Sequence, residues 1–94
     1  MGIQVEIFSA PGCSRCGRAK RLLRDVARTL GEDRITWREV DVLEELDYAV
    51  DLGVLSTPAI AIDGELVFTG LPSARGLREA LVQRLSGAEA DDRT

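Results

Sequence analysis

The sequence predicts an α/β fold in which one mixed, four-stranded sheet carries helices on both faces. Three observations predict this fold. The chain opens with a strand, helix and strand pattern, Asp63-Gly64 separates two short apolar runs, and three stretches repeat apolar residues at helical spacing. A strand–helix–strand unit makes its two strands parallel, whereas a tight turn makes them antiparallel. The expected element order is therefore βαβαββα.

The first strand and the first helix meet at Pro11-Gly12, where the apolar period changes. Residues 3–8 alternate, with β-branched side chains at odd positions, which indicates a strand with one β-branched face. Residues 14–30 instead repeat apolar residues every three or four positions, which predicts a core-facing helix that stops at Gly31. The helical stripe consists of Ala19, Leu22, Leu23, Val26, Ala27 and Leu30.

The middle of the chain predicts two shorter elements. Residues 35–42 have mixed polarity, so they indicate an edge strand rather than a central one. Residues 43–52 predict a short helix, and Gly53-Val54 suits its C-terminal cap. Trp37 and Tyr48 are interpreted as packing residues.

The last third predicts a hairpin, a helix and a tail. Asp63-Gly64 favours a tight turn with positive φ values between strands at residues 59–62 and 65–69. Ser73 is suited to cap a final helix with a stripe of Leu77, Ala80, Leu81 and Leu85. From Ser86 the apolar period is lost. The expected domain therefore covers residues 1–85, and residues 86–94 are expected to form a disordered acidic tail.

Size and charge limit the classes of function. The chain has 94 residues, 45% of them hydrophobic, which suits one soluble domain. The start lacks the pattern of an export signal, so the cytoplasm is expected. A net charge of -4 argues against nucleic acid or an anionic membrane as the main partner. Two charge clusters stand out, one basic and one acidic: Arg15, Arg18, Lys20, Arg21, Arg24 and Arg28, then Glu39, Asp41, Glu44, Glu45, Asp47 and Asp51.

The two cysteines of the chain, Cys13 and Cys16, lie at the junction of the first strand and first helix. In a reducing compartment, such a close pair is more often catalytic or metal-binding than structural. Cys13 is expected to be the attacking thiolate, because it is nearer the N-terminus and more exposed. Cys16, one turn into the helix, is expected to resolve the mixed disulfide. Arg15 and Arg18 are expected to stabilise a thiolate by charge, at a cost to helix stability.

Three functions remain open from these residues. The first is a thiol-disulfide oxidoreductase. The second is a dithiol that binds Cu(I), or bridges a dimer through zinc or an iron–sulfur cluster. The third is a redox-inert interaction domain. Small copper-carrying domains continue with two strands after their first helix, so the helix predicted after Trp37 argues against that group.

The chain resembles a known superfamily in three segments. Residues 10–16 follow the first strand with a Cys-x-x-Cys motif, Ser56-Thr57-Pro58 precedes the hairpin, and Gly70 follows it. Together they resemble the thioredoxin and glutaredoxin superfamily, and residues 53–64 are especially similar to the short thioredoxin-like redox-disulfide proteins of microbes. The resemblance covers residues 3–85 and implies a minimal, glutaredoxin-sized thioredoxin-like fold with electron transfer through a redox-active disulfide.

This resemblance assigns a substrate-binding set. It implies that Pro58 is a cis proline facing the dithiol, that the Thr57 backbone pairs with an extended substrate, and that Gly70 leaves room beside the thiols. Gly12 and Pro11 complete the expected set. A monomer is also expected, with no cofactor other than the redox-active Cys13–Cys16 disulfide and no bound metal.

Departures from the family pattern limit what is carried over. Gly12 and Ile7 occupy the places of a tryptophan and a buried aspartate, so the proton from Cys16 would pass to water, Glu6 or Asp41. Ala10 and the segment 70–73 depart from the glutathione-binding pattern. Protein disulfides are therefore the expected substrates, bound at an apolar rim of Ala10, Pro11, Leu55 and Leu71. The expected reductant is a thioredoxin-reductase-like flavoprotein, with glutathione as the second choice.

Overall fold

The computed structural model describes residues 2–92, with side chains described through residue 87. The elements follow the predicted order: β1 (Ile3–Ser9), α1 (Cys16–Leu30), β2 (Ile35–Asp41), α2 (Leu46–Leu52), β3 (Ala59–Ile62), β4 (Glu65–Thr69) and α3 (Ala74–Asp92). The strands form one sheet in the order β2-β1-β3-β4. β1 is parallel to β2 and antiparallel to β3, which confirms the mixed sheet and the edge position of β2.

Helices cover both faces of the sheet and create two apolar layers. The odd-numbered residues of β1 pack with α1 and α3, in a layer that includes Ile3, Val5, Ile7, Leu23, Leu77 and Leu81. Phe8 turns to the other face and packs with Ala49 of α2. Trp37 is partly buried against the first layer, so its packing role is confirmed. No helix within residues 2–92 is long and apolar enough to cross a membrane.

The hairpin has the predicted geometry. Asp63 has φ +50° and Gly64 has φ +80°, as a tight turn between β3 and β4 requires. The turn is also bound to β1, because the Gln4 amide donates to Asp63 Oδ1 at 2.9 Å and the Asp63 amide donates to the Gln4 carbonyl at 2.8 Å. The hairpin is therefore fixed against the central strand as well as within itself.

The predicted starts of α1 and α2 are too early. α1 begins at Cys16 rather than at residue 14, and α2 begins at Leu46 rather than at residue 43. Asp41 explains the second difference, because its Oδ1 accepts a hydrogen bond from the Leu43 amide at 2.8 Å. A side chain bonded to the backbone two residues on favours a turn over a helix. α2 ends as predicted at Gly53, which has φ +89°.

The last helix has the predicted start but a different end. Ser73 Oγ accepts a hydrogen bond from the Gly76 amide at 3.0 Å, which confirms the cap. The helix continues to Asp92, so the predicted loss of helical structure at Ser86 is wrong for residues 86–92. Alanine and glutamate have high helix propensity and can continue a helix without an apolar stripe. Residues 93 and 94 of the expected tail lie outside the described residues.

A cluster of polar side chains holds α2 against the sheet. Glu6 is only 5% exposed, and the parallel register places it opposite Arg38. Arg38 donates to Glu6 Oε2 from Nε at 3.0 Å and from Nη2 at 2.7 Å, while the Tyr48 hydroxyl donates to Glu6 Oε1. Arg38 Nη1 also lies 3.2 Å from Glu45 Oε2. Tyr48 is thus a hydrogen-bonding residue as well as a packing residue, and we call these four residues the Glu6 cluster.

The Glu6 cluster changes the titration of the single tyrosine. The hydrogen bond to Glu6, and then burial, raise the pKa of Tyr48 above its ordinary value. The ionised phenolate absorbs near 295 nm, and Tyr48 is the one tyrosine of the chain. We expect an absorbance titration of the oxidised protein to have its midpoint above about 10, the value for an unperturbed tyrosine.

Substitution of Glu6 identifies the cause. Glu6→Gln should move the midpoint down towards the ordinary value, whereas Glu45→Gln should move it less, because Glu45 bonds Arg38 and not Tyr48. The pKa of Tyr48 is higher in the folded protein than in the unfolded chain. The hydrogen bond from Tyr48 to Glu6 therefore contributes fully to stability below the unfolded pKa of Tyr48, and this contribution is lost as the pH rises through the folded pKa. A wild-type midpoint at or below about 10 would contradict the assignment.

Candidate active site

Cys13 is positioned by a tight turn that follows β1. The Cys13 amide donates to the Ala10 carbonyl at 3.2 Å, which closes a four-residue turn with Pro11 and Gly12 at its centre. Gly12 has φ +80°, and a Cβ there would meet no heavy atom within 4 Å. Proline followed by a positive-φ glycine is the pattern of a type II turn. The backbone conformation, and not crowding, therefore requires glycine at this position.

The two cysteines form a disulfide in this structure. Their sulfur atoms are 2.13 Å apart, with a dihedral angle of 84° and a Cα–Cα distance of 5.5 Å. Cys16 is the first residue of α1 and is 7% exposed, whereas Cys13 lies three residues before the helix and is partly exposed. A second molecule can therefore approach Cys13 more readily than Cys16.

The opposite wall of the dithiol site comes from the chain before β3. The Thr57–Pro58 peptide bond is cis, as the resemblance implies, and the Pro58 side chain is fully buried. Thr57 shares a shallow depression of about 290 Å³ with the dithiol loop. The residues that line it are Gly12, Cys13, Ser14, Arg15 and Thr57. The fold thus brings two sequence-distant predicted segments together around Cys13.

Gly70 lies at the same end of the sheet as Pro58. The antiparallel pair Ala59–Thr69 places Pro58 and Gly70 just beyond the end of the β3–β4 pairing. Gly70 has φ +146°, and a Cβ there would meet nothing within 4 Å. The backbone conformation by itself therefore favours glycine at this position, and the predicted room beside the thiols stays a prediction. The role of Gly70 in substrate binding also stays a prediction.

The two arginines predicted to stabilise the thiolate are placed differently. Arg15 is the N-cap residue of α1 and borders the depression that contains Cys13. Arg18 is exposed one turn further along α1 and does not line the depression. The first turn of α1 holds no acidic residue, and no side chain caps it. Positive charge at this end of a helix opposes the helix dipole.

The two carboxylates considered as proton acceptors have other partners. Glu6 is bonded to Arg38 and Tyr48 and faces α2, whereas the buried side chains of α1, the helix that begins at Cys16, pack on the other face of the sheet. Asp41 Oδ1 accepts the Leu43 amide. Glu6 is therefore a residue that positions α2, and the acceptor of the Cys16 proton stays a prediction.

An apolar groove extends from the dithiol site along α2. It has a volume of about 310 Å³, and Thr57 belongs to both the groove and the depression around Cys13. Leu55 at its rim is 97% exposed. The lining residues are Ala10, Val42, Leu46, Ala49, Val50, Val54, Leu55, Ser56 and Thr57. The sequence predicted only Ala10 and Leu55 as apolar contacts here, although Leu46, Ala49 and Val50 have the spacing of one helical face.

A metal ion bound by this chain alone would need a cluster of ligating side chains in the described part of the chain. No group of three or more histidine, cysteine, aspartate or glutamate side chains is arranged there to hold a metal ion. The chain contains no histidine. The two cysteines at disulfide distance can undergo reversible oxidation and reduction.

Comparisons with known proteins agree with this geometry. The family model described as a thioredoxin domain matches residues 1–82. A thioredoxin of Methanocaldococcus jannaschii is 32% identical over 83 residues, which cover 88% of this chain and 96% of that protein. A probable thioredoxin of Methanothermobacter marburgensis is 32% identical over 81 residues, covering 86% and 94%.

Solved structures share the fold at lower identity. Mitochondrial thioredoxin 3 of Saccharomyces cerevisiae superimposes with a TM-score of 0.72 at 21% identity, covering 86% of this chain and 77% of that one. A mutant thioredoxin from Halobacterium salinarum gives a TM-score of 0.70 at 23% identity, covering 84% and 71%. These structural likenesses establish the thioredoxin-like fold.

The turn before Cys13 yields a test with a matched control. Gly12→Ala should lower the free energy of unfolding of the oxidised protein by about 1–2 kcal/mol, because alanine is strained at positive φ. Gly17→Ala in the first turn of α1 should instead raise it by up to about 1 kcal/mol, since alanine is the better helix former. The nearest atom to a Cβ at Gly17 is Arg21 Nη1 at 3.9 Å, an ordinary contact. Urea denaturation measures both, and equal effects would contradict the turn assignment.

Proposed function

Since the chain belongs to the thioredoxin domain family and is a thiol-disulfide oxidoreductase, we propose that it reduces or exchanges disulfides of protein substrates, with Cys13 as the nucleophile and Cys16 as the resolving thiol. One observation carries the assignment of roles: the two sulfur atoms are bonded, and Cys16 is buried while Cys13 is partly exposed. An exposed sulfur can meet a second protein. A buried sulfur can react only with its neighbour.

The first step joins protein and substrate. The Cys13 thiolate attacks one sulfur of the substrate disulfide, the substrate S–S bond breaks, and the second substrate sulfur leaves as a thiolate that takes up a proton. The product is a mixed disulfide between Cys13 and the substrate. The positive charge of Arg15 beside Cys13 favours the attacking thiolate over the thiol.

The second step releases the substrate. Cys16 loses its proton to water and attacks Cys13 Sγ, so that the Cys13–Cys16 disulfide forms and the bond between Cys13 and the substrate breaks. The substrate sulfur leaves as a thiolate and takes up a proton from water, which completes the substrate dithiol. Two electrons have then passed from the protein to the substrate. A thiol reductant must return these two electrons. A thioredoxin-reductase-like flavoprotein is the proposed source, and two molecules of glutathione are the second choice. We propose a cytoplasmic monomer as the working form.

Substrate binding is proposed to use both depressions around Cys13. The Thr57 backbone, preceding a buried cis proline, would pair with an extended substrate segment, with Pro11, Gly12 and Gly70 at the edges of the site. The apolar groove begins at Thr57, so a side chain next to the substrate cysteine could enter it. Protein substrates suit this surface better than a small polar thiol does.

Single-cysteine variants test the assigned roles. Cys16→Ser should react with a protein disulfide and stop at a stable mixed disulfide, because the resolving thiol is absent. Cys13→Ser should form almost none, since its remaining thiol is buried. Mass spectrometry after acid quenching measures the adduct in each variant. The reverse pattern, with adduct on Cys16 alone, would overturn the proposed order of attack.

The apolar groove yields a second test. Leu55→Ser removes an exposed apolar side chain, so we expect a KM for insulin that is about 3- to 10-fold higher, with little change for hydroxyethyl disulfide. Val82→Ser serves as the control, because Val82 is also exposed but lies on α3, which packs on the other face of the sheet from α2. If Leu55→Ser changed neither substrate, or both equally, the groove would have no part in protein recognition.

A further inference from the structure

Three arginines near the dithiol have no ion-pair partner among the described residues. They are Arg15, Arg18 and Arg21, and we call them the arginine stripe. The other cations of α1 are paired: Lys20 with Glu39 at 3.3 Å, Arg24 with Asp25 at 3.7 Å and Arg28 with Glu32 at 3.8 Å. Unpaired charge on this helix is thus concentrated at the end that carries the cysteines.

The arginine stripe leads away from Cys13 along one side of the helix. Arg15 borders the depression around Cys13, and all three side chains are exposed. Residues three apart are neighbours on a helix surface, so Arg18 and Arg21 continue the line from Arg15. The chain as a whole has a net charge of -4, so the stripe is a local reversal of sign.

Folding does not account for the arginine stripe. The first turn of α1 has no acidic residue and no side-chain cap, and cations at this end of a helix oppose its dipole. The position of Arg15 beside Cys13 gives that arginine a role in the reaction, but Arg18 and Arg21 bond nothing within the described residues and are explained more readily by a partner. Complementary charge across an interface raises the association rate and orients the two proteins.

The opposite face of the sheet carries charge of the opposite sign. Glu44, Asp47 and Asp51 are exposed in and just before α2, on the opposite face of the sheet from α1. A partner with carboxylates beside its disulfide would be attracted along α1 and repelled along α2. The charges around Cys13 therefore favour one orientation of such a partner over the reverse.

Resting on the proposed function, we propose that the arginine stripe is the docking surface for protein substrates that carry acidic residues beside their reducible disulfide. The carboxylates would bind along Arg15, Arg18 and Arg21 while the disulfide reaches Cys13. The reaction remains the exchange described above: the Cys13–Cys16 disulfide forms, the substrate disulfide is reduced, and two electrons pass to the substrate.

Three synthetic probes test the charge preference. Each is the same cyclic disulfide peptide, flanked by four glutamates, four glutamines or four lysines. The protein is reduced beforehand, and a single turnover is followed by thiol alkylation and mass spectrometry. We expect the glutamate probe to react at least about tenfold faster than the lysine probe at low salt, and the ratio to fall towards one at 0.5 M NaCl, because salt screens exposed charges.

Charge-reversal variants locate the effect. The double variant Arg18→Glu/Arg21→Glu should lower the glutamate-to-lysine ratio about tenfold or more. The control, Arg24→Glu/Arg28→Glu, changes net charge equally but alters residues that are ion-paired and further along α1, and it should retain most of the ratio. A ratio of two rates cancels any change in the intrinsic reactivity of Cys13.

The midpoint of thermal unfolding should not fall in Arg18→Glu/Arg21→Glu, since Arg18→Glu adds an acidic residue to the first turn.

The outcomes separate the two proposals. If the glutamine probe is not reduced by the wild-type protein, the proposed function itself fails. If it is reduced and the glutamate and lysine probes react at the same rate, the arginine stripe is only a solvated surface, and the proposed function stands. Equal loss of the ratio in both double variants would also overturn the docking surface, because net charge alone would then explain the preference.

Discussion

The antiparallel pairing of β1 with β3 is the constraint on which the site depends. Phe8 pairs with Ala59, so the turn that follows β1 and the cis peptide that precedes β3 lie at the same end of the sheet. At the far end, Gln4 and Asp63 exchange hydrogen bonds and oppose slippage of the register. A shift by one residue would turn Phe8 towards α1 and Ile7 towards α2, so the two apolar layers also maintain the register.

Most of the fold could be predicted because each element carries a local signal. A few neighbouring residues are enough to predict each of four features: the alternation in β1, the apolar stripe of α1, the Asp63-Gly64 turn and the Ser73 cap. The errors fall at helix ends, where a local competitor decides. Asp41 delays α2 by bonding the Leu43 amide, which composition alone does not reveal. The end of α3 was misplaced because loss of an apolar stripe does not by itself stop a helix.

The candidate site likewise contains parts that the sequence predicts and parts that it does not. The cysteines and the Thr57-Pro58 pair could be found in the sequence because they are short motifs, and their resemblance to a known superfamily supplied the link between them. The apolar groove and the Glu6 cluster could not, since both depend on which strands are neighbours. The ion pair between Glu6 and Arg38 depends on the parallel register of β1 and β2, which places the two residues opposite each other. This ion pair occupies a carboxylate that the sequence alone offers as a candidate base for Cys16.

The difference in burial between the two cysteines has a consequence for the return of electrons. Because Cys16 is 7% exposed, an incoming reductant would, in the proposed mechanism, reach the oxidised site through Cys13 Sγ. Regeneration must then run through a covalent adduct on the same atom that held the outgoing substrate. Substrate and reductant would accordingly use one entrance in turn, the substrate at the reduced site and the reductant at the oxidised site, and neither could be bound covalently while the other is. A tightly held adduct of either kind would stop turnover in both directions.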